Sequence, residues 1–403
     1  MQTSSAPRVV YFSGPVDAID VYDKWANGVE LGYFGTSYLK QYFEICKRHE
    51  CKGYVITTLP GPHSRTLKGD FLIENLPGWE VTGAFRYHFL NSLWMTKLLI
   101  KILLWNPTVV LLTAGQTQWH ILSVLKLRNI TIIPVLHCLM WVRYKPSSAK
   151  SRLLTGITSW FFRNCCSAIA TASEAATQQV RSVLGQVPVE VATFLPSYRR
   201  DQFSALPKPD FNMRPFRVYF AGRIVENKGV FDLVKMARWV ESKAPGEFKF
   251  DVCGDGPQLE ELRSAIDSSG LTGVVLCHGY CERAKLTSIM AQSHIFVVPT
   301  TKAFEEGFNM VCAEGSLAGR PVVTSDVCPA LFYIAAAAVQ VEPDNVDDYI
   351  QAIWRLANDR DFFEQKCAAT KVVAEQFYDD RNSYGECIER LLLHHLPGEA
   401  VTV

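Results

Sequence analysis

The amino-acid sequence predicts an α/β protein made of two doubly wound domains that face a central cleft. Short apolar runs of the kind found in buried strands alternate with longer helical patterns along the chain. The alternation stops at 201–215, where three prolines stand in a stretch without a clear period, and then starts again. A length of 403 residues accommodates two such domains.

The first domain, residues 1–200, is expected to hold a parallel sheet covered by helices on both faces. Its strand-like runs are Arg8–Gly14, Gly53–Thr58, Val109–Thr113, Ile130–His137 and Ala168–Ser173. Its helical patterns span 36–49, 88–104, 118–127, 148–164 and 174–184. Continuously apolar strands separated by helices indicate parallel pairing, because both faces of such a sheet are buried.

The second domain, residues 216–380, follows the linker 201–215 and repeats the same pattern. Its expected strands are 216–221, 248–253, 274–278, 295–299, 321–324 and 339–342. Its expected helices are 229–243, 257–268, 283–292, 309–318, 345–357 and 361–375. Residues 381–403 are expected to form a C-terminal helix that packs back on the first domain. Two doubly wound domains in series leave a cleft that faces the carboxyl ends of both sets of strands.

The composition excludes several classes of protein. A hydrophobic fraction of 48% with 20% charged residues excludes a disordered or low-complexity chain. Twelve cysteines are too sparse for a disulfide scaffold, and no paired CxxC spacing predicts a zinc site. The start of the chain lacks the pattern of a secretory signal, and Lys97, Lys101 and Pro107 interrupt the most apolar stretch, Trp94–Thr113. We therefore expect a cytoplasmic protein.

The net charge of +1 conceals a strong asymmetry between the two halves. Residues 1–200 hold 21 Lys and Arg against 11 Asp and Glu, whereas residues 201–403 hold 20 against 29. The 93 residues between Glu80 and Glu174 contain ten basic side chains and no acidic one. A chain with this polarity is expected to present its first domain to an anionic partner.

A candidate diphosphate site lies in the second domain at Gly222–Gly229. This segment follows a strand and opens a helix, and it places Arg223 and Lys228 on the same turn. Two cations beside a helix N-terminus suit a diphosphate, because the backbone N–H groups and the helix dipole add to the positive charge. A solvated basic loop is the alternative reading of this motif alone.

Two glutamates mark a second candidate site in the same domain. Glu306 and Glu314 are separated by seven residues, which corresponds to about 12 Å along a helix at roughly 1.5 Å per residue. That span suits one carboxylate on a sugar and the other on the ribose of one nucleotide sugar. The amides of Gly307, Phe308, Asn309 and Met310 would then hold the phosphates between them. Glu314 stands in an apolar run, and a buried acid normally needs a partner.

Other residues give weaker signals. Cys253–Pro257 (CGDGP) is either a tight turn or a ligand contact, and it lacks the spacing of a dinucleotide fingerprint. His137 ends a predicted strand where ligands of α/β proteins bind, although a lone histidine at a strand end is structural more often than catalytic. Gly35 precedes the first predicted helix and admits a close ligand. The cysteines fit core packing better than nucleophilic catalysis.

Together these motifs resemble the retaining glycosyltransferases of the GT-B fold, which pairs two Rossmann-like domains, and in particular glycosyltransferase family 4 (glycosyl transferases group 1). The similarity is densest in the second domain. The matching segments are Phe220–Gly229, Cys253–Pro257, His278-Gly279, Ile295–Pro299, Glu306-Gly-Phe with Glu314, and Ala318–Ser325. The first domain matches mainly by pattern, through Gly35 and His137.

The resemblance implies a role for each candidate residue. Arg223 and Lys228 would neutralise the donor diphosphate, and Tyr280 would lie near the base. Glu306 would hold the transferred sugar and His137 would touch it from the opposite domain, while Glu314 would bind the ribose. The family usually needs no metal and no cofactor, so a UDP- or GDP-sugar enters as substrate only.

The chain also departs from the family pattern at three places. The paired glycines near the first helix are reduced to Phe34-Gly35, which leaves the contact of Gly35 open. Cys328–Phe332 replaces the usual Gly-Gly-x-x-Glu stretch, and Pro196-Ser197-Tyr198 replaces an Asn-Gly. The last two changes point to an unusual acceptor or interdomain surface.

The resemblance implies a hexosyltransferase that acts on a glycan or lipid-linked acceptor in the synthesis of cell-surface polysaccharide or glycolipid. The basic stretch interleaves cations with aromatics, as in Trp141–Lys145, which suits peripheral attachment to the anionic inner face of a membrane. No nucleic-acid module is recognisable. The alternatives are transfer to a small soluble acceptor and a catalytically inactive sugar-nucleotide-binding partner subunit.

Overall fold

Two sheets, each covered by helices, form the protein. The structure is a computed structural model, and it describes residues 6–30, 34–78, 84–113, 118–144, 148–304 and 306–396. Lys145 of the basic stretch lies outside the described residues. The expectation of an α/β protein with two doubly wound domains is confirmed.

The first sheet has eight strands in the order β3-β4-β2-β1-β5-β6-β7-β8. The strands are β1 (Arg8–Phe12), β2 (Lys52–Thr57), β3 (Ser64–Lys68), β4 (Phe71–Asn75), β5 (Val109–Leu112), β6 (Thr131–Leu136), β7 (Ala168–Thr171) and β8 (Glu190–Thr193). The helices are α1 (Ala18–Ala26), α2 (Tyr38–Arg48), α3 (Ala84–Trp105), the 3-10 helix Trp119–Arg128, α4 (Ala149–Cys165) and α5 (Glu174–Leu184). All pairs are parallel except β3 with β4.

The second sheet has six parallel strands in the order β11-β10-β9-β12-β13-β14. The strands are β9 (Phe216–Ala221), β10 (Phe248–Cys253), β11 (Val275–Gly279), β12 (Ile295–Val298), β13 (Val322–Thr324) and β14 (Ala338–Gln340). The helices are α6 (Val230–Lys243), α7 (Leu259–Ser268), α8 (Arg283–Gln292), α9 (Met310–Leu317), α10 (Leu331–Ile334), α11 (Val346–Asn358) and α12 (Arg360–Tyr378). Short 3-10 helices occupy Arg200–Gln202, Glu226–Lys228 and Asp380–Asn382.

The last helix, α13 (Tyr384–Leu393), crosses back from the second sheet to the first. Its buried side chains, among them Ile388 and Leu391, belong to the same core cluster as α2 and β1. The N–H of Gly385 donates to the Gln41 side chain at 2.6 Å, and Glu389 pairs with Arg48. The chain thus joins the two domains twice.

Four features of the first domain differ from the sequence-based expectation. The β3–β4 hairpin was not predicted, because Ser64–Lys68 is polar and half-exposed and carries no apolar run. Helix α1 and strand β8 were also missed. The helical pattern at 118–127 forms a 3-10 helix rather than an α-helix. Its buried residues Trp119, Leu122 and Leu125 recur every third position, which is the period of a 3-10 helix.

The order of strands places the ligand-binding crevice of each domain. The direction of strand order reverses between β1 and β5 in the first sheet and between β9 and β12 in the second. Ligands of doubly wound sheets bind at the carboxyl ends of the strands at such a reversal. The loops after β1, β5, β9 and β12 therefore flank these two crevices.

Candidate active site

The loop after β9 carries the predicted cation pair. A 3-10 turn at Glu226–Lys228 links β9 to α6, and it ends at Gly229 with φ +73°. A Cβ atom at Gly229 would overlap the carbonyl oxygen of Pro299, so both the conformation and the space require glycine. This turn brings Lys228 against the loop after β12, while Arg223 remains exposed at the rim. No hydrogen bond or ion pair of the Arg223 side chain is found among the described residues.

The CGDGP motif supports this loop rather than a ligand. A Cβ at Gly254 would overlap the carbonyl oxygen of Gly222, and one at Gly256 would overlap that of Ile224. The N–H of Gly254 donates to the Gly279 carbonyl oxygen at 2.8 Å. The two glycines are therefore explained by close packing of neighbouring loops, which favours the tight-turn reading.

An ion pair between Lys228 and Glu306 lies at the centre of the site. The Glu306 carboxylate also accepts hydrogen bonds from Asn309 Nδ2 at 3.0 Å and from Thr300 Oγ1 at 3.4 Å. The Lys228 ammonium lies 4.1 Å from the ring centroid of Phe304. Both charged side chains are mostly buried, with 14% and 10% of their surface exposed. Glu306 therefore contacts the cation predicted for the diphosphate.

The segment between the two glutamates is a turn followed by a helix. Helix α9 begins at Met310, so residues 306–309 are not part of it. The distance of about 12 Å between the two glutamates assumed a continuous helix and therefore does not apply. Asn309 adopts φ +72°, a left-handed conformation that asparagine tolerates better than most residues, and its side chain donates back to Glu306. Strained backbone of this kind is often found at functional sites.

The turn exposes a row of backbone donors. Within the described chain, no protein acceptor is found for the N–H groups of residues 307–310, which form the approach to α9. Such groups at a helix N-terminus attract anions. The Phe308 side chain instead points into the core, where its ring packs 5.6 Å from that of Tyr333 and 6.0 Å from that of Phe377. The backbone of Phe308, and not its side chain, is therefore placed to bind a ligand.

At Gly307 the backbones of the two domains approach each other closely. A Cβ atom there would overlap the carbonyl oxygen of His137, which follows β6 in the other domain. The sequence places this glycine beside Glu306 without revealing what approaches it. The structure therefore brings His137, Lys228, Glu306 and Gly307 into one cluster.

The His137 ring is enclosed by aromatic side chains. It stacks on Tyr38 at 4.7 Å between centroids and lies 5.7 Å from Phe194 and 6.2 Å from Tyr384. Burial lowers the pKa of His137 to about 4. The imidazole is therefore neutral at physiological pH, and it can serve as a hydrogen-bonding group but not as a standing cation.

Glu314 lies on α9, one turn beyond the amides of residues 307–310. Burial raises its pKa to about 7, and the nearby Tyr198 hydroxyl limits the rise. That hydroxyl is buried and has no well-formed hydrogen bond in the described part of the chain. Tyr198 belongs to the segment that departs from the family pattern, and its role was not predicted. A half-ionised carboxylate beside an unpartnered hydroxyl suggests that a polar ligand group completes this site.

A cavity of about 370 Å³ opens beside His137 in the first domain. It is lined at the carboxyl strand ends by Ser13, Gly14, Thr113 and His137, by Thr36–Leu39, and by Met310 from the second domain. A Cβ at Gly35 would overlap the end of the Met310 side chain and lie 3.8 Å from the Tyr198 ring. Gly35 thus allows the two domains to touch at Met310. This contact accounts for a glycine at position 35 without any contact to a ligand.

Tyr280 and Arg223 are the two predicted residues that the structure leaves apart from this cluster. Tyr280 follows Gly279, which adopts φ +68°, and 74% of its surface is exposed. Tyr280 lies in the loop after β11 and Arg223 in the loop after β9, on either side of β10 at the carboxyl edge of the second sheet. Among the described residues, no group of three or more His, Cys, Asp or Glu has the arrangement of a metal site.

Comparison with known proteins agrees with this geometry. Residues 201–371 match the family model of glycosyl transferases group 1. The chain is 27% identical over 262 residues to the 2-deoxystreptamine N-acetyl-D-glucosaminyltransferase of Streptomyces fradiae. The aligned region covers 60% of this chain and 61% of that enzyme. It is 23% identical over 258 residues to the 2-deoxystreptamine glucosyltransferase of Streptomyces kanamyceticus, covering 59% and 65%. Each match spans less than two thirds of the relative's length.

Solved structures match nearly the whole chain. Anabaena Alr3699/HepE in complex with UDP superposes with a TM-score of 0.67 and 14% identity, covering 96% of this chain and 99% of that one. Sucrose-phosphate synthase of Thermosynechococcus elongatus gives a TM-score of 0.69 and 16% identity, covering 96% and 98%. The fold is GT-B.

The close contact at Gly307 predicts that one methyl group added at this position changes the spacing of the two domains. We expect Gly307→Ala to push the domains apart, because the new Cβ cannot share the space of the His137 carbonyl oxygen. Small-angle scattering should show a larger radius of gyration for this variant. Gly273→Ala is the matched control, since no atom lies within 4 Å of its added Cβ. An unchanged scattering profile for Gly307→Ala would contradict the described contact.

Proposed function

We propose that this chain is a retaining glycosyltransferase that moves a sugar from a nucleotide-sugar donor to a glycan or lipid-linked acceptor. The observation that carries the proposal is the cluster of Lys228, Glu306 and the amides 307–310 facing His137 across the cleft. The second-domain part of this cluster lies inside the segment that matches glycosyl transferases group 1. UDP-sugars are the first donors to consider, since solved relatives of the same fold are named as complexes with UDP and UDP-glucose.

The donor diphosphate would bind between Lys228, Arg223 and the amides before α9. In the unliganded protein Lys228 is held by Glu306. A diphosphate would therefore compete for a cation that is already in place, while exposed Arg223 can turn in from the rim. Fixed cations and N–H groups stabilise the charge that develops on a leaving phosphate. We propose on this basis that transfer needs no metal ion and no cofactor.

The sugar would lie between Glu306 and His137. Glu306 accepts from three side chains and His137 is neutral, so neither is poised as a nucleophile or a strong base. This favours transfer on a single face of the sugar, with retention. The bond from the anomeric carbon to the phosphate oxygen breaks and a bond to the acceptor oxygen forms. The acceptor proton passes to the leaving phosphate.

Glu314 would bind the ribose, and Tyr280 would lie near the base. A ribose hydroxyl would supply the polar partner that the Tyr198 hydroxyl lacks and would also reach Glu314 beside it. The acceptor would enter the cavity of about 370 Å³ beside His137. Its lining carries hydroxyl and aromatic groups, which suits a neutral polyol.

Two alternatives remain testable. Transfer to a small soluble acceptor is favoured by the names of the Streptomyces relatives, which act on 2-deoxystreptamine. A partner subunit that binds a sugar nucleotide without catalysis is disfavoured, because such a protein has no need of the buried ion pair of Lys228 and Glu306.

A donor screen tests the proposal directly. UDP-, GDP- and ADP-sugars would be incubated with the protein while donor hydrolysis and thermal shift are monitored. The proposal predicts that one nucleotide class raises the melting temperature and is slowly hydrolysed, and that the anomeric configuration of any transfer product is retained by NMR. Stabilisation without hydrolysis or transfer would favour the inactive subunit, and inversion would exclude the proposed mechanism.

Loss of the central cation should be severe. We expect Lys228→Ala to lower turnover about 10²–10³-fold, the usual effect of removing one stabilising group at a developing charge. Lys235→Ala is the control, because Lys235 lies on the same helix α6 and pairs with Asp232 at the surface. Initial rates with saturating donor would measure both. A Lys228→Ala variant with more than half of normal turnover would show that the diphosphate binds elsewhere.

The two glutamates should differ in their effect on the nucleotide. Ribose hydroxyls donate to ionised Glu314, so affinity for the nucleoside diphosphate should rise as pH increases through about 7. Glu314→Gln should lose about tenfold in affinity at pH 8 and show no such rise. Glu306→Gln should keep or increase that affinity, because it releases Lys228, yet slow transfer.

Calorimetry at pH 5.5, 7 and 8 would separate these effects. An equal loss of nucleoside diphosphate affinity in both variants would contradict the division of roles between Glu306 and Glu314. A pH profile that is the same for the original protein and Glu314→Gln would show that this carboxylate does not contact the nucleotide.

A further inference from the structure

The outer surface of α3, the 3-10 helix Trp119–Arg128 and α4 is unusually apolar. These three helices pack side by side on the same face of the first sheet and share one core cluster. We refer to their solvent-facing side as the outer α3–α4 surface. Nine of the 17 large apolar side chains that are exposed in the described part of the chain lie on it. They are Tyr87, Phe89, Leu93, Ile100, Leu104, Val124, Leu127, Leu153 and Trp160.

The exposed residues of α3 form a continuous stripe. Phe89, Leu93, Lys97, Ile100 and Leu104 follow one another at intervals of three or four residues, which places them on one side of the helix. The opposite side, with Trp94, Leu98 and Ile102, is buried against the sheet. A helix that is apolar on both sides normally has a partner on each. The core of the first domain is the partner on one side of α3, whereas the other side is exposed to solvent.

Seven cations are interspersed among these apolar side chains. Arg86, Lys97, Lys126, Arg128, Lys150, Arg152 and Arg163 are exposed on the same three helices. Among the described ion pairs none involves any of the seven, whereas Lys101 on the inner side of α3 pairs with buried Glu74. The sequence has no acid between Glu80 and Glu174, so no carboxylate on these helices offsets the charge.

We propose that the outer α3–α4 surface docks on an anionic lipid bilayer. Interfacial binding combines apolar side chains buried at the boundary of headgroups and acyl chains with cations that meet anionic lipids. This surface supplies both over three adjacent helices. The inference deepens the proposed function and rests on it only for the nature of the acceptor. Among the described helices none is both long and apolar enough to cross a membrane.

Other occupants fit the surface less well. A symmetric dimer formed through this surface would set seven cations against seven cations. A nucleic acid would satisfy the cations through its phosphates but would leave exposed side chains such as Leu104 and Leu127 without apolar contact. An anionic bilayer satisfies both groups of side chains.

The orientation would bring the membrane close to the acceptor cavity. Helices α3 and α4 follow β4 and β6, so both begin at the carboxyl edge of the sheet and run away from it. The cavity that contains Thr113 and His137 opens at that same edge. The ends of α3 and α4 with Arg86, Phe89 and Lys150 are therefore on the cleft side, where a lipid-linked acceptor would leave the bilayer.

Co-sedimentation with vesicles tests the proposal. The full chain should bind vesicles of phosphatidylcholine with phosphatidylglycerol and not vesicles of phosphatidylcholine alone. Binding should weaken as salt rises, because charges in water are screened within about 8–10 Å at physiological ionic strength. Each cation near an anionic surface strengthens binding about fivefold, so the triple variant Lys97→Glu/Lys150→Glu/Arg152→Glu should lose at least about 100-fold.

A second variant tests the apolar half of the surface. Leu93→Ser/Ile100→Ser/Leu104→Ser removes exposed side chains of α3 while keeping every charge, and it should reduce binding at least tenfold. Lys371→Glu/Val372→Ser on α12 is the control, since it changes an exposed cation and an exposed apolar residue in the other domain. This control should bind as the original protein does.

Donor hydrolysis distinguishes a failure of lipid docking from a failure of the proposed enzymatic function. Donor hydrolysis is measured on the same samples without lipid, and it should be unchanged in all three variants, because they leave the cleft intact. Equal partitioning to neutral and anionic vesicles, absence of binding to both, or dimers in lipid-free light scattering would overturn the docking proposal. So would tighter binding to RNA than to anionic vesicles. Active protein that fails to bind lipid would overturn the docking alone.

Discussion

The close approach of the Glu306–Asn309 turn to the backbone of His137 is the contact on which the rest of the site depends. It brings the carboxyl edges of two sheets together, so that groups from both domains face one small volume. Glycine at 307 allows this approach because a Cβ would overlap the His137 carbonyl oxygen. Met310, one turn further, meets Gly35 in the same way. The interdomain geometry is thus fixed by two glycines that leave room for their partners.

The charges of the site are arranged around this contact. Lys228 and Glu306 neutralise each other in the unliganded protein, which lets both remain mostly buried without an isolated charge. The pKa values of His137 and Glu314 shift in opposite directions from their usual values, to about 4 and about 7, and burial is the main cause in both. Each shift favours the neutral form. In the proposed complex the diphosphate would be the ionic partner of Lys228, and the ribose hydroxyls would donate hydrogen bonds to Glu314.

Much of the fold was predictable because buried parallel strands have a clear apolar signature, and the two-domain alternation follows from it. The β3–β4 hairpin lacked that signature, since one of its strands is polar and half-exposed. In the site, Lys228 and Glu306, which the structure joins in an ion pair, were recognisable from motif spacing. The left-handed backbone of Asn309 was not predicted, and it places the start of α9 at Met310, one residue after the predicted start of this helix. Tyr198 was not assigned, because its place beside Glu314 arises from packing between segments 116 residues apart in the sequence.

Helices α3 and α4 of the outer α3–α4 surface begin at the edge of the first sheet where the cavity beside His137 opens, so the basic stretch of the chain starts next to the cleft. The central claim remains that the backbone between Glu306 and Met310 receives the donor diphosphate. Hydrogen exchange with and without a stabilising nucleotide sugar tests it most directly. The account predicts slower exchange in the peptide covering 306–312, because phosphate oxygens would accept from the amides of residues 307–310, for which the described chain offers no acceptor. Saturating donor that leaves exchange at 306–312 unchanged would contradict the account.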